Sequence, residues 1–483
     1  MKNDLVDNKR SKPLQPFDSA AARSDERVGN SAQGKPQRPR RFNLGLLLDT
    51  HLGGLATLTA ILLYLALLAG RETLGAAYWP VLAVLVLALA GLGLRGLHRR
   101  ENLRTRLQSV SPALLLGGLV TLALAIRWTL APQERPAAGS DEAFFVEAAL
   151  GIIRSGSYIP ASLRFPSLLV YVELAATVLR FVTGASANLW TWPTELVPAN
   201  LYGWGRGMVT LLSAATLVPA FEIGKRLYGH RAGLLAALFL ALLPMHVTAG
   251  GIVVAQVPAA LLSLLASWCA LNLLETGQAR WALAAGACAG LAAATHYPAG
   301  LAVLVPLLAA LLRQPVEGAA SRRLLALLAL TTAMGAFVAG CPAVLAQTDR
   351  FVAGLAEAAR TYFPTQGTAG TGLGYLLRKG LGWGPAALVL LGAALVLPRL
   401  WRAEVVLFSF PVVLYLALLL PRSRFPLDLV LLAPYLALLA AAGVERSITL
   451  LEKRFAGRPW IRALPWAAAV VGAGLFMLAL LLG

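Results

Sequence analysis

Long apolar blocks, spaced by short basic or polar turns, dominate the chain. The runs 55–70 (LATLTAILLYLALLAG), 79–94 (WPVLAVLVLALAGLGL) and 113–126 (ALLLGGLVTLALAI) are the first three of these blocks. Each approaches the roughly 20 residues that a helix needs to cross a bilayer. Within hydrocarbon every backbone N–H and C=O must bond inside the segment, so runs of this kind span as helices. The pattern predicts an all-α polytopic membrane protein with about 13 spans. The stretch 281–313 is too long for one span, and Pro298 after His296-Tyr297 predicts a break there into two shorter helices.

The polar positions set the expected topology. Residues 1–45 are basic and rich in Ser, Pro, Gln and Arg, and read as a disordered cytoplasmic tail. No apolar stretch follows Met1, so the start does not read as a cleaved signal peptide. Arg38, Arg40 and Arg41 precede the first apolar run, and Arg95, Arg99, Arg100, Arg104 and Arg106 fill the second loop. Basic loops favour the cytoplasmic side, so both are placed there. The connections 132–165, 185–206, 248–256, 342–382 and 421–426 then fall outside. One segment strains this scheme: 167–183 begins outside, yet the Trp-rich stretch after it must also lie outside. Either it is a re-entrant or surface-lying helix, or a later segment is miscounted. The expected division is a tail at 1–45, two extra spans with a basic loop at 46–110, a core at 111–445, and a basic loop with a last span at 446–483.

Composition agrees with this class. Of 483 residues 58% are hydrophobic and 13% charged, against about 25% charged in soluble domains. The net charge of +19 reads as positive-inside loops rather than as a nucleic-acid surface. Cys269, Cys288 and Cys341 lack metal-ligand spacing and read as small packing residues.

Three polar features stand at the expected outer boundary. Asp141-Glu142 opens an amphipathic stretch, AFFVEAALGIIRSG, with Phe144, Ala148 and Ile152 on one face. A carboxylate at the water–lipid boundary can deprotonate an acceptor hydroxyl; equally, acids favour a solvated helix start. Arg164, ahead of Pro166, can hold a lipid phosphate bidentately or mark the membrane edge by snorkelling. Arg422 and Arg424 run against the positive-inside trend and call for an anionic partner. The aromatic residues of 190–204 fit an interfacial belt or a surface for a sugar ring.

In order, Asp141-Glu142-Ala-Phe-Phe, Gly156-Ser-Tyr158-Ile-Pro160 and Arg164-Phe-Pro-Ser-Leu-Leu-Val-Tyr171 resemble the first external loop of GT-C glycosyltransferases. The nearest branch is the protein mannosyltransferase and aminoarabinose transferase group (glycosyltransferase family 39-like). Arg206-Gly-Met-Val-Thr, Gly224-Lys-Arg-Leu-Tyr-Gly, Leu243-Pro-Met-His246, Ala294-Thr-His-Tyr-Pro298, Gly340-Cys-Pro342 with Asp349-Arg-Phe351, and Arg424-Phe-Pro continue the likeness over about 111–445. The resemblance implies a GT-C helix bundle with an external loop bearing short surface helices. It implies sugar transfer from a polyprenyl-phosphate donor to an acceptor (protein, lipid or polysaccharide) at the external face of the cell membrane. Asp141 would be the base and Glu142 its support. Arg164, Arg424, Arg206 and Arg422 would bind donor phosphate. His296, Tyr297, Tyr158 and Gln256 would contact substrate. No cofactor is required, because a lipid phosphate already leaves readily, and no divalent metal is indicated.

The sequence departs from the family at Gln256, where relatives often carry Asp, at His296 in place of Lys, at Cys341 in place of Asn, and at Tyr362-Phe363 in place of His-Tyr. The loss of the acid at 256 keeps a non-catalytic scaffold in view. A flippase or transporter of lipid-linked glycans is the other alternative, and it would call for duplicated halves and mid-membrane polar residues.

Overall fold

The computed structural model describes residues 112–131, 141–314, 320–362, 374, 376–419, 426–455 and 464–482. The expected tail, the two extra N-terminal spans, and Arg422, Arg424 and Phe363 lie outside these residues. Every regular element among the described residues is a helix. Seven helical stretches are long and apolar enough to cross a membrane, and shorter apolar helices accompany them. The total of about 13 spans expected from the apolar runs therefore stands neither reached nor excluded among the described residues.

The first helices are α1 (Pro112–Leu130), α2 (Glu142–Ser155) and α3 (Leu168–Ser186). They are followed by α4 (Tyr202–Ala215) and α5 (Leu217–Tyr228), a pair that runs on almost without interruption. Next come α6 (His230–Leu242), the short α7 (Pro244–Ala249), α8 (Gln256–Thr276) and α9 (Ala279–Thr295). The predicted break falls where it was placed: α9 ends at Thr295, a 3₁₀ turn covers Tyr297–Val303, and α10 is Leu304–Leu312. The remainder is α11 (Arg322–Gly340), α12 (Ala343–Ala346), α13 (Thr348–Tyr362), α14 (Trp383–Val396), α15 (Arg402–Leu419), α16 (Ala433–Arg454) and α17 (Leu464–Leu482).

Small residues set the helix spacing. A Cβ on Gly286 would lie 2.2 Å from the Ala329 carbonyl oxygen, and one on Gly290 2.1 Å from that of Ala333. So α9 and α11 touch backbone to backbone, the contact that glycines spaced by four allow in a membrane. Gly392 of α14 meets Leu439 of α16 in the same way, at 2.0 Å.

Two helices bear on the expectations for the first loop. In α2 the residues buried against protein include Phe145, Val146, Ala149, Leu150 and Ile152. Phe144 and Ala148, expected with Ile152 on a face lying on the membrane, are only partly covered. In α3 the buried positions include Leu169, Glu173, Ala176, Arg180 and Gly184, while Val178, Leu179 and Val182 are exposed. One flank thus faces protein and the other is apolar and open, which suits a helix that packs against α2 and α4 and meets lipid elsewhere.

One cation seals the bundle beneath the first loop. Arg127, fully buried in α1, donates to the carbonyls of Ala123, Leu240 and Ala241 and to Ser213 Oγ, and contacts His246 Nδ1 at 2.8 Å. It caps the C-terminal carbonyls of α6, where orphan acceptors and the dipole favour a cation.

Candidate active site

Adjacent acids at the start of α2 diverge. Glu142 is fully buried and accepts two charge-assisted bonds from Arg206 of α4, both 2.7 Å, and a third from the Val253 backbone N–H at 3.0 Å. This parallel fork is the strong geometry for Arg and carboxylate. It lashes α2 to α4 and to the loop before α8. Glu142 and Arg206 were expected to assist catalysis and to bind phosphate; in the structure they are spent on each other in the interior. Arg206 is 1% exposed, which leaves its head group no open path to a lipid phosphate. The pair holds the first turn of α2, next to Asp141, against α4.

That residue, Asp141, is the N-cap of α2, yet its carboxylate makes no capping bond. It turns to Arg164, whose Nη2 donates to Oδ1 at 2.7 Å. The side chains remain 46% and 33% exposed, so the pair is only partly covered by protein. Aromatic rings hold the guanidinium: its Cζ stands 4.7 Å from the Phe165 centroid and 5.7 Å from that of Phe144. Phe144, Phe145 and Phe165 contact one another edge-on or tilted. Partial burial pushes the Asp141 carboxyl above the usual carboxylate range; Arg164 and His296 pull it down and the Asp428 charge pushes it up.

The loop that carries Arg164 is clamped from the other side. Tyr297 Oη donates to the Leu163 carbonyl at 3.2 Å, and Arg350 of α13 donates to the Ala161 carbonyl at 2.6 Å. A Cβ on Gly354 would meet the Leu163 backbone at 2.6 Å, so α13 lies directly against that loop. Tyr297, expected to touch substrate, is bonded to the Arg164 loop and remains partly exposed. Tyr158, on the same loop, is 61% exposed.

Deeper in the site lie residues from three helix breaks. Gln256 opens α8, His296 ends α9 in an extended conformation (φ −152), and Asp428 sits in the 3₁₀ turn Pro426–Leu432 before α16. Gln256 Nε2 donates to Asp428 Oδ1 at 2.9 Å. His296 Nε2 approaches the same oxygen at 2.9 Å, but outside hydrogen-bonding alignment. All three are buried. Irregular backbone within a bundle is tolerated where it is enclosed by protein or lines a cavity. Asp428 escaped the sequence reading; the one signal that could have found it is its charge in an otherwise apolar segment. Among the described residues no group of three or more His, Cys, Asp and Glu is arranged to hold a metal ion.

Comparison with known proteins bears on the fold and on one segment of the sequence. Residues 204–340 match the dolichyl-phosphate-mannose-protein mannosyltransferase family. That segment contains Arg206, Gln256, His296 and Tyr297. A search of curated protein sequences gave no match. Among solved structures the chain is similar to ArnT from Cupriavidus metallidurans bound to undecaprenyl phosphate. The TM-score is 0.52 and the identity 17%, over 75% of this chain and 74% of that one. It is also similar to the oligosaccharyltransferase of Archaeoglobus fulgidus in the apo form, with TM-score 0.50 and 13% identity, over 76% of this chain and 55% of that one. The chain is thus an integral membrane protein with the GT-C glycosyltransferase fold, and from Trp204 to Gly340 it carries the sequence signature of the dolichyl-phosphate-mannose-protein mannosyltransferase family.

Proposed function

We propose that this chain transfers a sugar from a polyprenyl-phosphate donor to an acceptor hydroxyl at the external face of the membrane, with Asp141 as the base. The observation that carries the reading is the half-exposed Asp141–Arg164 pair, joined at 2.7 Å, on a fold shared with a protein solved with undecaprenyl phosphate. Sugar transfer needs a base on the acceptor side and positive charge on the leaving-group side. The pair sets both next to each other.

In this reaction the acceptor O–H gives its proton to the Asp141 carboxylate. The acceptor oxygen forms a bond to the anomeric carbon as the bond from that carbon to the phosphate oxygen breaks, and the polyprenyl phosphate leaves with the electron pair. Arg164, released from Asp141 by the arriving phosphate, neutralises the leaving group by a forked contact. Partial burial, first among the influences on Asp141, raises its proton affinity towards what a base working near neutrality requires. Lipid phosphate is a competent leaving group, so the step as written uses no nucleotide, metal or other cofactor. Arg422 and Arg424 remain candidates for phosphate contact, on the strength of their place in the sequence alone. The acceptor is a hydroxyl of a protein, lipid or polysaccharide.

The test is an assay of the purified chain in lipid with radiolabelled polyprenyl-phosphate sugars, parent against Asp141→Asn. Transfer of label by the parent, lost at least about 100-fold in the variant at unchanged melting temperature, is the expected result. Movement of intact lipid-linked sugar between leaflets, without cleavage of the phosphate bond, would replace the transferase with a flippase.

A further inference from the structure

Besides Asp141, the site holds a second acid. Asp428 is 1% exposed. It accepts a hydrogen bond from the Gln256 amide at 2.9 Å, and the His296 imidazole lies 2.9 Å from the same oxygen. Those contacts bring together the first turn of α8, the break after α9 and the turn that leads into α16. An acid in the apolar interior is costly to keep, and such residues mark functional sites when they gather polar partners from several elements. The cluster is also within electrostatic reach of the base: the groups acting on Asp141 are Arg164, Asp428 and His296.

We propose that Asp428 is the second acidic residue of the transfer site, a positioning residue that fixes Gln256 and His296 in the site wall and presents a negative charge to Asp141. The inference rests on the transferase reading above for its catalytic meaning. Gln256 and Asp428 share a hydrogen bond, so the carboxylate can stand at either end of it and still lie beside the same neighbours. The charge favours the protonated form of Asp141 and so strengthens it as a proton acceptor. The amide, held by that oxygen, loses rotameric freedom, and with the imidazole beside it offers polar contacts to sugar or acceptor hydroxyls.

The experiment uses the full chain in lipid nanodiscs and compares the parent, Asp428→Asn and the double variant Gln256→Asp/Asp428→Asn. Two readouts are taken. The first is the pH midpoint at which a hydrophobic carbodiimide, which reacts with protonated carboxyls, labels Asp141, read by mass spectrometry. The second is kcat with a polyprenyl-phosphate sugar, alongside the affinity for polyprenyl phosphate alone. In Asp428→Asn the labelling midpoint should fall by at least about half a pH unit, because a neighbouring negative charge is gone. Its kcat should fall at least about tenfold while lipid-phosphate affinity stays within about twofold. The double variant should return both readouts towards the parent. A midpoint in Asp428→Asn equal to that of the parent overturns the proposal. If Asp428→Asn folds poorly, the double variant decides: a parent-like midpoint supports the proposal and a lowered one overturns it. A parent that transfers no sugar would end the transferase reading, while the labelling midpoint would still decide the placement of Asp428.

Discussion

Glu142 and Arg206 form a fully buried bidentate pair, with both bonds at 2.7 Å, one residue away from a carboxylate that is half open. The two neighbouring acids therefore divide the labour of the site. One fixes the first turn of α2 against α4, and the other stays half exposed beside Arg164.

The pair gives a stability prediction. Breaking a buried ion pair from one side leaves an unpartnered charge and costs about 3–5 kcal/mol. Glu142→Ala or Arg206→Ala should lower thermal stability in detergent sharply, and the double replacement Glu142→Met/Arg206→Leu should be much less harmful than the sum of the single changes. Melting curves of the four proteins check this. Single variants that melt like the parent would show that the pair does not hold α2.

The Asp141–Arg164 contact gives a pH prediction. Asp141 works as a base only when deprotonated, so activity should fall as pH drops through its raised pKa. Arg164 is among the groups that hold that pKa down. Removing its charge in Arg164→Gln should move the acid limb of the kcat profile to higher pH, besides weakening donor binding. A pH–rate series on parent and variant measures it; an acid limb moved to lower pH would contradict the assignment.

Gly290 gives a packing prediction. The space for its Cβ is already occupied by the Ala333 carbonyl, at 2.1 Å. Gly290→Leu would force α9 and α11 apart, and overpacking of this kind costs about 1–3 kcal/mol or more. His296 ends α9, so the variant should also reduce activity. Gly335, on the exposed side of α11 with nothing near its Cβ position, should accept Ala with little change in melting temperature. The two melting temperatures, measured together, test the contact.

Much of the architecture was legible in the chain. Hydropathy alone marked a helical membrane protein, because hydrocarbon leaves few other ways to satisfy the backbone. Pro298 announced the break after α9, since proline removes a donor and obstructs the preceding turn. The motifs of the first loop singled out Asp141 and Arg164, and the structure brings these two into contact. The pattern of α2, a 14-residue helix, left open which flank packs on protein; the buried Phe145, Val146, Ala149 and Leu150, together with Glu142 drawn inward by Arg206, set it.

What the sequence by itself determined is the medium in which the chain folds, the kind of element it builds, and the acidic and basic residues at the opening of α2 and in the loop after it. These follow from properties local to each segment: transfer of side chains into lipid, proline geometry, and charge near a boundary. Only the tertiary structure decided which charge is paired away and which is open. Arg206 looked as available as Arg164 until α4 placed it against Glu142, and Gln256 looked like a missing acid until the turn before α16 brought Asp428 to it, 172 residues further along the chain. Pairing energy depends on distance through space, which hydropathy and spacing do not encode.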